Sequence, residues 1–349
     1  MSKRYSQDIT FDLVKKNEKS IYLGKIAESG IFKEKDFYFN IDEFTKHAFI
    51  AGSTGGGKTI TAQIIAEEAF SKGISILVID PTAQWTGFIK KLDDNMLFKR
   101  YRYFDMKKEK AKSYPTNIIK LKKDSKFCEN NFFEENSINV LIANDLTEKE
   151  IDEKITELID LFFKKTPEES QELKLLLFFE EVHRILPKYG GSGNGLIALE
   201  RAVREFRKWG IGIILISQIL EDFVGEIRAN IGTEFQHRTV YEVDLEKIKL
   251  KYGDEIVKAV VRLETGTLMF HNSSLNIGKP LFIKIKPPLH NVNRLNDTEL
   301  KEYLKIKEII MMIEKSEKLK NFEKLKLAKN ELIKGNFQIA EKYLKELNI

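Results

Sequence analysis

"IAGSTGGGKTITAQIIAEEAF", residues 50–70, sets four glycines within six positions (52–57), followed by a lysine, a threonine and a helix-forming run. Glycine adopts backbone angles closed to other residues, and successive N–H groups in such a loop can turn inward around an anion. The stretch fits G-x-x-x-x-G-K-[ST] at Gly52, Gly57, Lys58 and Thr59. The flanks agree with that reading. "HAFIAG" (47–52) reads as a strand leading in, Ile60, Ile64, Ile65 and Ala69 form a helical stripe leading out, and Gly73 stops the helix. A helix start aims its N–H groups and positive dipole end at the loop. Gly52, Ser53, Thr54, Gly55, Gly56, Gly57, Lys58, Thr59 and Ile60 are therefore the expected contacts of a nucleoside triphosphate. Lys58 supplies a mobile positive charge, and the Thr59 hydroxyl can ligate Mg2+. A merely flexible glycine loop would explain neither the Lys-Thr pair nor the flanking elements.

Working outward, further apolar runs follow: "ISILVID" (74–80), "INVLIA" (138–143), "LKLLLFF" (173–179) and "IGIILIS" (211–217). Continuous runs of this length suit parallel strands buried on both faces. Between them, "KEIDEKITELIDLFFKK" (149–165) and "LIALERAVREFRKWG" (196–210) have amphipathic helical spacing. Alternating strands and helices imply an α/β fold around a mostly parallel sheet. Residues 1–46 read as a short accessory β segment ("DITFDLV", "SIYLGKI", "DFYFNI"), and residues 47–295 as the core. Residues 90–136 are a lysine-rich, irregular insertion carrying a helix or two. "KPPLHNVNRL" (286–295) leads out of the sheet domain into a helical extension, 296–349. Its last part reads as a helix hairpin turning at Gly335-Asn336. That hairpin resembles one tetratricopeptide-type unit, too few for an array, so a helical cap on the main domain is expected.

The chain has 349 residues, 42% of them hydrophobic, enough for one large core with appendages. No apolar run approaches a membrane span, and the start is not a signal peptide. The lone Cys128 rules out an internal disulfide framework. A cytoplasmic protein without direct membrane insertion is expected. The net charge of +5 is compatible with a nucleic-acid partner without demanding one. Lysine is the dominant base, with 47 Lys against 11 Arg.

"LLLFFEEVHRILP" (175–187) ends a buried strand in Glu180 and Glu181. Ligands of open α/β sheets bind beyond the carboxyl ends of the strands. Neighbouring side chains on a strand face opposite ways, so the two carboxylates should do different work. Glu180 is expected to hold Mg2+ together with Thr59, and Glu181 to polarise the attacking water as general base. His183 could report ligand state or only cap local structure. Gln218, at the end of "IGIILISQ", can hydrogen-bond a γ-phosphate oxygen or the water without adding charge.

In order, G-S-T-G-G-G-K-T, "VIDPTAQW" (78–85), "FFEEVH" (178–183) and "REFRKWGIGIILISQ" (204–218) resemble the HerA/FtsK superfamily of P-loop ATPases, closest to the archaeal HerA-like branch. The resemblance covers roughly residues 20–295, and "KPPLHNV" is similar to the segment closing the HerA core. It implies a RecA-like fold, ATP as substrate with Mg2+, a homo-oligomeric, hexameric ring, and translocation of double-stranded DNA. It also implies a possible NurA-like nuclease partner. Related members power conjugation, type IV secretion and viral genome packaging. Two features depart from HerA. Only about 46 residues precede the phosphate loop where HerA has a full β-barrel domain, and the C-terminal helices do not map onto the motifs that carry the resemblance.

A ring ATPase needs a cation supplied in trans. Arg201, Arg204 and Arg207 share one helix. Arg201 has Glu205 at four-residue spacing, Arg204 has Glu200, and Lys208 has Glu205 three residues back. Arg207 has no acidic helical neighbour, and its position matches the family's arginine finger. A GTPase-type switch is disfavoured because no N-K-x-D-like motif is present, and a non-motor scaffold is disfavoured by the full set of motifs.

Overall fold

The computed structural model describes residues 14–28, 31–127, 132–165, 167–218, 225–315 and 322–347. The expected strand "DITFDLV" lies almost wholly outside them, and Cys128 lies outside them. Eleven strands form one sheet: β1 (Ser20–Glu28), β2 (Ile31–Asn40), β3 (Ala48–Ala51), β4 (Ser75–Asp80), β5 (Thr116–Lys120), β6 (Ile138–Ile142), β7 (Ser170–Phe179), β8 (Trp209–Ser217), β9 (Thr233–Gln236), β10 (Thr267–Asn272) and β11 (Leu281–Ile285). Their order is β2-β1-β11-β10-β9-β3-β8-β7-β4-β6-β5. The seven strands from β9 to β5 run parallel, and the four from β10 to β2 are joined antiparallel.

The parallel strands bury alternate residues on opposite faces. Ile50, Val78, Phe178, Ile214 and Ile216 join one core, while Phe49, Leu77, Ile79, Leu177, Ile213 and Leu215 join the other. That two-sided burial is why these strands read as unbroken apolar runs. Each fully buried aliphatic or aromatic side chain stabilises the fold by about 1.5–3 kcal/mol.

Helix α1 (Lys58–Ser71) covers the first face, and its Ile64, Ile65 and Ala69 are inaccessible to solvent. Helix α2 (Asn95–Tyr101) lies in the lysine-rich insertion. Helices α3 (Glu148–Lys165) and α4 (Asn194–Glu205) cover the second face, contributing Ile155, Ile159, Leu199 and Val203 to its core. The short α5 (Glu226–Ala229) contacts α4. Helices α6 (Glu242–Tyr252) and α7 (Asp254–Val260) supply Ile248 and Val260 to a small core against β10 and β11.

The insertion holds more order than its composition promised. Besides α2 it contains β5, the edge strand of the sheet. "TNIIK" is five residues long and set among lysines, so its pattern is too short to announce itself.

Three helices follow the sheet: α8 (Asp297–Lys315), α9 (Phe322–Ile333) and α10 (Phe337–Lys345). The hairpin turns at Gly335, whose φ of 79° is in the left-handed region that favours glycine. These helices share the first core through Tyr303, Ile306, Ile310, Leu325, Leu332 and Phe337. Helix α8 also closes the open edge of β5. The Ile118 N–H donates to the Tyr303 hydroxyl (3.0 Å), the hydroxyl donates to the Thr116 carbonyl (3.2 Å), and Lys307 Nζ donates to the Ile118 carbonyl (2.9 Å). Side chains thereby take the place of a further strand on an edge that would otherwise expose its ladder.

"KPPLH" folds back over α1. The buried Glu67 carboxylate of α1 accepts from the Leu289 N–H (2.7 Å) and the His290 N–H (2.9 Å), and lies 2.6 Å from His290 Nδ1. Lys286 Nζ lies 3.2 Å from Glu68 and 3.5 Å from Glu67. Among the described residues no helix is long and apolar enough to cross a membrane.

Candidate functional site

The loop between β3 and α1 opens at the carboxyl end of the central parallel strands. Gly52, Gly55 and Gly57 have φ of 138°, 74° and 100°. The conformation at Gly52 is set by contact as well, because a Cβ there would stand 2.6 Å from His237 Cβ. The first turn of α1 carries no acidic residue, so nothing in the helix neutralises its positive end.

Lys58 is buried and its ammonium donates to the Ser53 carbonyl at 3.3 Å. It pairs with no carboxylate among the described residues. Burial lowers its pKa, and the charges of Glu181 and Glu180 oppose that shift. A cation held this way is ready for an anionic ligand.

The Thr59 hydroxyl donates to Glu180 Oε1 at 2.7 Å, and the Trp85 indole N–H donates to Glu180 Oε2 at 3.1 Å. Burial pushes the Glu180 carboxyl up to about 8, with the Asp80 charge adding to the rise. Asp80 ends β4 and is itself fully buried, and burial raises its pKa too. It accepts from the Trp85 N–H (2.8 Å), the Thr82 N–H (2.9 Å) and the Thr82 hydroxyl (2.8 Å). Asp80 therefore shapes the turn that aims Trp85 at Glu180.

Glu181 follows at φ 48°, ψ 44°, a left-handed conformation unusual for a side chain of this kind. Such strain concentrates where a residue must be aimed. The turn sends Glu181 away from Glu180 and toward the next strand. Gln218 Nε2 lies 3.3 Å from Glu181 Oε1, and His183 Nδ1 lies 3.3 Å from Glu181 Oε2. Gln218 Oε1 accepts from the Thr54 hydroxyl at 2.9 Å. The structure thus brings together the phosphate loop, Glu180, Glu181, His183 and Gln218.

Arg207 lies elsewhere. It precedes β8, whereas Gln218 follows it. Nine strand residues at about 3.3 Å each separate the two by roughly 30 Å. Its neighbour there is His47, at the opposite end of β3 from the loop. Burial holds the His47 imidazole down to about 4, and the Arg207 charge lowers it further. Arg207 is exposed and, among the described residues, has no hydrogen-bond or ion-pair partner. Its neighbours are engaged. Lys208 pairs with Glu205 at 2.7 Å, and the Arg201 guanidinium lies 3.6 Å from the centre of the Phe163 ring.

Sequence reading missed Asp80, Trp85 and His237 as parts of the site. Asp80 carried the same signal as Glu180, an acid at the end of a buried strand. His237 carried none, since it follows the short β9 and meets the loop only in three dimensions. Its Nε2 is 3.1 Å from the Thr61 hydroxyl, and burial with the nearby Lys58 charge holds it down to about 3. A neutral imidazole thus packs under the glycines. Beside the loop, Ser53–Gly56, Arg238, Val240 and Leu263–Thr265 line an open cleft of about 520 Å³.

Residues 21–342 match the family model described as "Helicase HerA, central domain". Among solved structures, VirB4 of Thermoanaerobacter pseudethanolicus is similar at 12% identity and a TM-score of 0.53, over 80% of this chain and 99% of that one. The pCW3 conjugation coupling protein TcpA is similar at 13% identity and a TM-score of 0.45, over 80% and 69%. The genome packaging NTPase B204 from Sulfolobus turreted icosahedral virus 2 is similar at 13% identity and a TM-score of 0.41, over 68% and 96%. No curated protein sequence matches the chain.

Proposed function

From the premise that the chain belongs to the HerA central-domain family, we propose that it is an ATP-hydrolysing motor, assembled as a homo-oligomeric ring, that translocates double-stranded DNA. The observation that carries this reading is the convergence on one loop of two strand tips, those of β7 and β8. Thr59 meets Glu180 at 2.7 Å, Thr54 meets Gln218 at 2.9 Å, and Gln218 meets Glu181 at 3.3 Å. A site built only to hold nucleotide has no use for a second, separately aimed carboxylate.

The roles follow from position. The loop N–H groups and Lys58 bind the phosphates. Glu181, held toward Gln218, accepts the proton of the attacking water. Gln218 orients that water or a γ-phosphate oxygen, and through Thr54 it senses the loop. The Thr59 hydroxyl and the Glu180 carboxylate, two oxygens already in contact, suit a hard cation and would hold Mg2+ beside the phosphates. When bound, that ion neutralises charge on the phosphate oxygens. Arg207 cannot reach its own loop, which supports a role at a neighbouring subunit's site.

The test is ATP turnover with and without double-stranded DNA, beside particle images. DNA-stimulated turnover by rings, lost in Lys58→Ala, is expected. A translocase grips backbone phosphates rather than bases, so DNA binding should weaken steeply with salt. Turnover indifferent to DNA would favour the other motor reading, in which the chain powers conjugation, secretion or genome packaging through a membrane or capsid partner. Turnover unchanged in Lys58→Ala would remove both.

A further inference from the structure

One side chain from β9's continuation underlies the whole phosphate loop. Past the end of β9 the chain stays paired with the strand that leads into the loop. The His237 N–H donates to the Ala51 carbonyl (2.8 Å), and the Ser53 N–H donates to the Arg238 carbonyl (2.8 Å). This pairing carries the His237 side chain beneath the glycines. A Cβ at Gly56 would stand 3.3 Å from His237 Cβ, and one at Gly57 would stand 3.6 Å from its Cε1. With the close approach at Gly52, the side chain bears on the loop from its entry to the cap of α1. Its Nε2 lies 3.1 Å from the Thr61 hydroxyl in the first turn of α1.

The other ring nitrogen is the anomaly. His237 is inaccessible to solvent, and among the described residues its Nδ1 has no hydrogen-bond partner. A buried polar atom left alone is costly, and native folds keep few of them. Burial and the Lys58 charge keep the ring neutral, so it carries a single N–H. The Thr61 hydroxyl can donate to Nε2, which leaves that proton on Nδ1. The acceptor that acts on the ring is the Gly56 carbonyl, which pulls against burial and Lys58 without meeting hydrogen-bond geometry. That carbonyl shares its peptide unit with the Gly57 N–H, the last loop donor before α1. Chains of hydrogen bonds polarise one another, so a bond accepted by the carbonyl makes the N–H of the same unit a better donor.

We propose that His237 is a positioning residue for the nucleotide: its Nδ1–H closes on the Gly56 carbonyl when the loop holds a polyphosphate, and fixes the Gly56–Gly57 peptide with its N–H on the phosphate. The ring acts through that peptide and touches no substrate atom. β9 thereby takes part in nucleotide binding although it carries none of the motif residues. The inference rests on the ATPase reading above.

Two near-isosteres separate the two nitrogens. The Asn amide overlays Nδ1, and the Gln amide overlays Nε2. In titration calorimetry with ADP, His237→Gln keeps the Thr61 contact and should bind about 3- to 10-fold more weakly, the range of one neutral hydrogen bond. His237→Asn keeps the Gly56 contact and should stay within about twofold of wild type. A ring that only fills space and holds Thr61 predicts equal losses or the reverse order. The wild-type protein gives a second readout that needs no variant. The chain has five histidines. In NMR spectra of protein labelled with 15N-histidine, the His237 ring, assigned through its contact with Gly57, should be protonated on Nδ1. Saturating ADP should move that proton downfield. An unprotonated Nδ1, an Nδ1 proton indifferent to bound ADP, or equal losses in the two variants overturns the inference and leaves the ATPase reading standing. Absence of ATP and ADP binding by the wild-type protein overturns both.

Discussion

Thr54 donates its hydroxyl to the side-chain oxygen of Gln218 at 2.9 Å, while the nitrogen of the same amide faces Glu181 at 3.3 Å. One amide thus links the phosphate loop to the carboxylate proposed as base. Glu181→Gln should keep ATP affinity and lower kcat by about 10²–10⁴-fold, the usual worth of general-base catalysis. Gln218→Ala should do the same to a smaller extent, since it removes orientation rather than the base. Steady-state kcat alongside equilibrium nucleotide binding separates the two effects. If Glu180→Gln gives this phenotype while Glu181→Gln stays active, the roles of the two carboxylates are exchanged.

Glu180 should leave a signature in stability. Its carboxyl is raised to about 8 in the fold, chiefly by burial. Between the ordinary carboxylate range and about pH 8 the folded chain therefore holds a proton that the unfolded chain has released. Stability falls with rising pH across that window. Glu180→Gln removes the titration, so nucleotide-free Tm should favour the variant by about 2 °C or more at pH 8. The advantage should shrink toward pH 5. A Tm difference constant from pH 5 to pH 8 contradicts the raised pKa.

Arg207→Ala should preserve ATP binding and assembly but abolish DNA-stimulated turnover, given the ~10³–10⁵-fold effect of such cations in related chemistry. Rings mixing Arg207→Ala with Glu181→Gln subunits should regain part of the activity. Only a mixed ring pairs an intact Glu181 with an intact Arg207 from next door. No recovery in assemblies shown to be mixed would sink the trans assignment.

Tyr303→Phe tests the seal over β5. The change strands the buried Ile118 N–H, at a cost of about 1–3 kcal/mol. Denaturant unfolding should show a lower midpoint with an unchanged slope. A midpoint equal to wild type would mean that the hydroxyl is dispensable to the edge.

Much of the site was legible because its signals are local. The phosphate loop, the acids after Phe179 and the glutamine after Ser217 each sit at the junction of a strand with its loop. The two-faced burial of β4, β6, β7 and β8 wrote itself as continuous apolar runs. What stayed hidden depends on contacts between distant segments. His237 meets Gly52 across 185 positions, and nothing near "FQHRT" declares that meeting. Trp85 is fully buried in the core, yet its indole N–H donates to Glu180, a contact its place in "VIDPTAQW" does not declare. The apolar faces of α8–α10 announced burial without saying that they would close β5.

Because β8 holds Gln218 at one end and Arg207 near the other, the chain in the proposed ring resembles a link with a socket and a plug that cannot meet. Contacts of socket to plug are head-to-tail, and such contacts close into a ring or run on as a filament. If the plug is needed for turnover, dilution is a switch. Isolated chains would bind ATP and idle, and activity per chain would climb with protein concentration until the circle closes. A dilution series read beside sedimentation would show a threshold shared by assembly and turnover. Full activity in dispersed single chains would mean that the site completes itself without a neighbour.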